Sequence, residues 1–130
     1  MTRDWGAGRR GRRRSAYEAP RAAADRGARL AGSSDDPCAF HEPLRTSAYG
    51  ATRRTGSGGV LGAEQALGYE EWLRAYTAGA AYAGGQEDER GNITPGKRAD
   101  LVVVEGDLDA EHPPRVVETW VAGERVYAAP

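Results

Sequence analysis

Apolar residues along this chain fall into short groups separated by glycine- and proline-rich stretches, and the spacing within each group sets the element it predicts. The clearest group covers residues 70–83 (EEWLRAYTAGAAYA). Trp72, Leu73, Tyr76, Ala80 and Ala83 recur at helical spacing and predict one apolar face of an α-helix. Glu70 and Glu71 open it, where carboxylates complement the partial positive charge of a helix start, and Gly84-Gly85 closes it. Gly79 lowers helix propensity by about 1 kcal/mol relative to Ala, so its place inside the helix predicts a close packing contact.

The strand signals lie at the two ends. Residues 28–31 (ARLA) form a short, mostly apolar piece that stops abruptly at Gly-Ser-Ser-Asp-Asp-Pro, which suits a buried strand leaving its sheet for a loop. Seven of the eight valines lie between Val102 and Val126. Residues 99–105 (ADLVVVE) form a β-branched run expected in a buried strand. Residues 115–122 and 125–128 flank Gly123-Glu124 and predict a hairpin, set apart by Pro113-Pro114. Residues 55–59 (TGSGG) predict a surface loop, and Pro95-Gly96 a reverse turn. The order is strand, loop, helix, strand, hairpin: mixed α and β.

Composition alters this picture. Leu, Ile, Val and Phe number 17 of 130 residues, about 13%, below the roughly 20% at which a globular core becomes doubtful. Net charge is −1 overall but unevenly spread. Residues 1–29 hold nine Arg and three acids, a net of +6; residues 30–130 hold nine basic residues and 16 acids, a net of −7. Residues 1–16 therefore read as an Arg-rich disordered leader. It could serve as an arm for nucleic acid or an acidic surface, but a dispensable or misassigned start of translation is the preferred reading. No membrane span is expected, because no run approaches ~18 apolar residues. One Cys excludes an internal disulfide, and one Cys with two His excludes a zinc module built from this chain alone. A complete (β/α)8 barrel needs roughly 200 residues or more.

Few residues could carry chemistry. Asp35 and Asp36 follow the first predicted strand, where a barrel enzyme keeps groups that bind a metal or move a proton. Taken alone, Asp-Asp-Pro reads first as a turn or a helix cap. His41 with Glu42 offers two potential ligands, yet scattered His in loops are usually solvated, and His112 beside two prolines is a loop residue. Cys38 is either a small buried side chain or a reactive thiol. Gly96-Lys97 is followed by Arg98 where a phosphate loop has Ser or Thr, so no phosphate site is expected.

Residues 91–104 (GNITPGKRADLVVV) resemble the C-terminal signature of the amidohydrolase superfamily. Residues 29–37 (RLAGSSDDP) resemble that family's eighth barrel strand and its Gly-Ser-Asp-x-Pro end. Glu42-Pro43-Leu44 and Thr52-Arg53 resemble the elements that follow it. Residues 69–83 resemble the next helix, and residues 119–127 (TWVAGERVY) the closing hairpin. Order and spacing agree from about residue 17 to residue 127, and the amidohydrolase 3 group fits best.

The resemblance implies an α/β fold: the C-terminal fragment of a (β/α)8 TIM-type barrel, with its last strand and helices, plus strands of a small composite β-sandwich. The barrel part would span residues 17–90 and the sandwich part 91–130. Asp35 aligns with the family's strand-8 aspartate, implying both metal ligation and acid/base work in hydrolysis of a non-peptide C–N bond. The cofactor implied is a divalent metal, zinc foremost, and the substrate a small-molecule amide. The family's His-x-His is missing: the two His lie 71 positions apart, and Lys97 is the only Lys. The chain is therefore expected to hold no metal and show no activity alone, or to pair with a separately encoded barrel half. A cytoplasmic location is the default, with neither membrane nor nucleic acid as partner.

Overall fold

The structure is a computed structural model describing residues 19–38 and 41–130. The Arg-rich leader expected over residues 1–16 lies outside the described residues.

Helix α1 (Pro20–Asp25) and helix α2 (Pro43–Thr52) each begin at a proline, whose fixed φ suits a helix start and whose missing N–H is no loss there. The sequence pattern did not predict α2. Its buried residues, Ser47 and Ala48, are too small and too polar to stand out as an apolar face. Arg53 ends it in left-handed geometry, at φ 54°.

The helix expected over residues 70–83 is present but not regular. Helix α3 (Tyr69–Arg74) widens into a π-helical stretch (Ala75–Gly79) and resumes as α4 (Ala80–Ala83). Glu70 and Glu71 occupy its first turn. At its end the Gln86 N–H donates to the Ala81 carbonyl and the Gly85 N–H to that of Tyr82, a Schellman closure. The buried positions are Tyr69, Ala75, Gly79 and Ala81, while Ala83 is exposed. The predicted face is thus shifted, because a π turn inserts an extra residue and rotates everything beyond it.

Strands β1 (Leu101–Glu105), β2 (Arg115–Val121) and β3 (Glu124–Ala128) form an antiparallel sheet in the order β1-β2-β3. A bulge interrupts each pairing, between Val103 and Val104 and between Thr119 and Trp120. The hairpin turn is Ala122-Gly123, one residue earlier than predicted. Both residues have positive φ, 51° and 83°, as a two-residue turn between twisted strands requires.

The buried apolar residues are Ala48, Leu67, Tyr69, Ala75 and Ala81. All lie in the helical part, so the core sits between α2, α3 and the segment joining them. Residues 28–31, expected as a strand, have no regular secondary structure and pair with no strand among the described residues. The Gly32 N–H instead donates to the Ala75 carbonyl at 2.8 Å. The mixed α and β architecture holds; its sheet is formed wholly by the C-terminal third.

Candidate functional site

Residues 29–38 carry the candidate carboxylate, and the long helix holds them in place. The Arg29 guanidinium stacks over the Tyr82 ring, 3.9 Å from its centre. The Leu30 carbonyl oxygen lies where a Cβ on Gly79 would come within 1.9 Å of it. Gly79 is thus the close contact its position predicted. Gly32 meets the Tyr76 ring so closely that a Cβ there would lie 2.6 Å from it. The Tyr76 hydroxyl donates to the Ser33 carbonyl at 2.8 Å.

Beyond these contacts the chain turns sharply. Asp35 has φ 53°, left-handed backbone that Asp tolerates better than most residues. Its carbonyl accepts from the Cys38 N–H at 2.7 Å, closing a turn through Asp36-Pro37. Asp35, Asp36 and Cys38 are all exposed. Cys38 is therefore a free surface thiol, the buried alternative being excluded.

The donors suggested by sequence do not converge. No group of three or more His, Cys, Asp or Glu among the described residues could hold a metal ion. His41 is exposed, and His112 pairs with Asp109 at 3.1 Å, far out on its own loop. A divalent ion usually takes four or more ligands. The residues described around Asp35 do not by themselves fit one.

Other charged groups are already committed to structure. Arg21 of α1 makes a two-pronged pair with Glu71, at 2.7 and 3.2 Å. Glu71 also accepts the Gly68 N–H at 2.6 Å. The Arg21 hydrogen bond, with that backbone N–H, holds the Glu71 carboxyl below its usual range. Asp100 accepts the Ala122 N–H at 2.8 Å and faces Arg98 and Arg90 at 3.0 and 3.4 Å. Its pKa is lowered, chiefly by the Ala122 bond. A hollow of about 640 Å³ opens between α2 and the loop before β2, lined by Leu44, Tyr49, Arg54, Glu111 and Val116. Asp35 is not part of it.

Sequence reasoning missed Tyr76 as a hydrogen-bond donor to the Asp35 segment. Helical spacing marked it as an apolar-face residue, and a phenol is both. The phenol's hydroxyl was the one available signal.

Comparisons with known proteins now bear on this site. A family model described as "Amidohydrolase family" matches residues 5–127, nearly the whole chain. An N-substituted formamide deformylase from Arthrobacter pascens is 37% identical over 83 residues, covering 64% of this chain and 15% of that protein. The crystal structure of an amidohydrolase from Thermotoga maritima MSB8 superposes with a TM-score of 0.63 at 26% identity. It covers 82% of this chain and 24% of that one. The chain thus spans about a seventh of the curated relative it matches and about a quarter of the solved one. With a match from residue 5 to residue 127, the chain belongs to the amidohydrolase family.

Proposed function

We propose that this chain forms the C-terminal part of a metal-dependent hydrolase of small-molecule amides, inactive by itself. It would supply the last strand and helices of a (β/α)8 barrel and part of a composite β-sandwich. The observation that carries this reading is the family match over residues 5–127 together with the small share of each relative that the chain spans. The family generally uses a divalent metal. Asp35 would add one carboxylate to a metal site whose other donors come from barrel chain outside this one, either preceding it or separately encoded.

In amide hydrolysis, water attacks the carbonyl carbon, the C–N bond breaks and the nitrogen leaves with a proton. Asp35 fits the proton-moving part of that sequence. It is an exposed carboxylate at the end of a segment fixed on one helix, free to take a proton from water and return it to the leaving nitrogen. The relative's name makes N-substituted formamides the first substrates to try.

The test has two arms. The purified chain with added zinc should hydrolyse neither an N-substituted formamide nor a simple amide beyond a metal-only control; turnover would overturn the inactivity. Grafted in place of the matching segment of the Arthrobacter pascens deformylase, the chain should support hydrolysis. Asp35→Asn in that graft should then lose roughly a hundredfold or more. A fully active Asp35→Asn graft would reject the assigned role.

A further inference from the structure

We propose that Tyr76 is the positioning residue for Asp35, its phenol fixing the backbone that presents the carboxylate. The proposal rests on the reading of Asp35 given above.

Asp35 has left-handed backbone and an exposed side chain, and its own backbone bonds are local ones. Its own N–H reaches only the Ser33 hydroxyl, at a long 3.4 Å. The turn after it, closed by the Cys38 N–H, is local and could swing as a unit. What fixes the turn in space is the chain just before it. That chain is held at three successive levels: Leu30 against Gly79, Gly32 on the Ala75 carbonyl, and Ser33 on the Tyr76 hydroxyl.

All three holding residues belong to the π-helical stretch. In a regular α-helix the Ala75 carbonyl would be occupied along the axis by the N–H of Gly79. Here the N–H of Ala80 reaches it, one residue further on, and the Gly32 N–H reaches it as well. The wider turn therefore makes room for a second donor. Of the three contacts, the Tyr76 hydroxyl is nearest to Asp35, two residues away along the chain. It is also the only one made by a side chain, and so the one that sequence can tune without altering the helix.

The test uses the full chain and its single cysteine. A nitroxide on Cys38 reports motion of the turn, and hydrogen exchange at Gly32 reports release from the helix. Tyr76→Phe keeps the ring against Gly32 and removes only the hydroxyl. It should leave the helical circular dichroism unchanged, narrow the nitroxide spectrum, and speed exchange at Gly32 roughly three- to tenfold. The Asp35 Cα chemical shift should move from its left-handed value. Tyr82→Phe, which keeps its ring under Arg29, should change none of these. Unchanged spectra and exchange in Tyr76→Phe, or equal changes in Tyr82→Phe, would overturn the proposal. In the deformylase graft, Tyr76→Phe should lower kcat with little change in KM. If Asp35→Asn were silent there, the reading of Asp35 would fail by itself, while the Cys38 and Gly32 measurements would still decide whether Tyr76 sets this backbone.

Discussion

Gly79 and Gly85 stand six residues apart at one helix end and meet opposite needs. At Gly79 the backbone is ordinary helix, φ −68°, and the constraint is contact: a Cβ would enter the Leu30 carbonyl. At Gly85 there is open space, and the constraint is a φ of 65°. Gly79→Ala should therefore destabilise by on the order of 1–3 kcal/mol, although propensity alone favours Ala by about 1 kcal/mol. Gly85→Ala should cost roughly 1–2 kcal/mol through its left-handed backbone, and Gly85→Asn should recover much of that loss because Asn accepts this geometry. Gly79→Asn should recover nothing. Urea melts of the four variants separate the two causes. The need for Gly79 was legible, since a glycine inside a strong helix asks for a reason. The identity of its neighbour was not, because the Leu30 contact spans 49 positions that no local pattern connects.

Elements built on strong local signals were read correctly, and those built on small residues were not. β1 and the hairpin followed from β-branched runs, and the helix end from Gly84-Gly85, but β1, expected as a buried strand, is exposed at all but Val104. α2 escaped because its packing face is Ser47, Ala48 and Gly50, the last against the Trp72 indole. The π turn escaped because its signature is a tertiary contact, the second donor to the Ala75 carbonyl. Asp35 was legible as a candidate through family resemblance, but its tether to Tyr76 was not. Where elements join, Asp100 clips the Ala122 N–H of the hairpin turn to the entry of β1. Its folded pKa is lowered, so its contribution is complete above about pH 5 and is lost as pH falls through the usual carboxylate range toward the folded value. Wild type should lose melting temperature over that acid range. Asp100→Asn should start lower at neutral pH and show a shallower acid decline; parallel declines would assign the effect to other carboxylates.

At the scale of the whole molecule, burial is one-sided. The helical part holds the buried residues except Pro114, just before β2, while the sheet leaves Val102, Val126 and Tyr127 exposed at 57%, 60% and 47%. Val102 and Tyr127 flank Thr119 across the strands and share its face, and β1 and β3 each leave one edge unpaired. Open edges with exposed apolar side chains favour association. The chain alone should therefore self-associate with rising concentration in sedimentation velocity, and Val102→Lys should reduce this. A monomer at all concentrations would contradict it. Among the described residues no helix is long and apolar enough to cross a membrane. The low count of large aliphatic residues goes with a sheet that, among the described residues, leaves much of its apolar surface exposed.

Lys97 gives this division a practical handle. It is the single lysine, it lies just ahead of β1, and its ammonium group donates to the Glu87 carbonyl from a half-buried position. A protease that cuts only after lysine thus has one site in the chain, and the cut would part the helices from the sheet. Cleavage requires that tether to open, so its rate would count how often the junction comes apart while both halves remain folded.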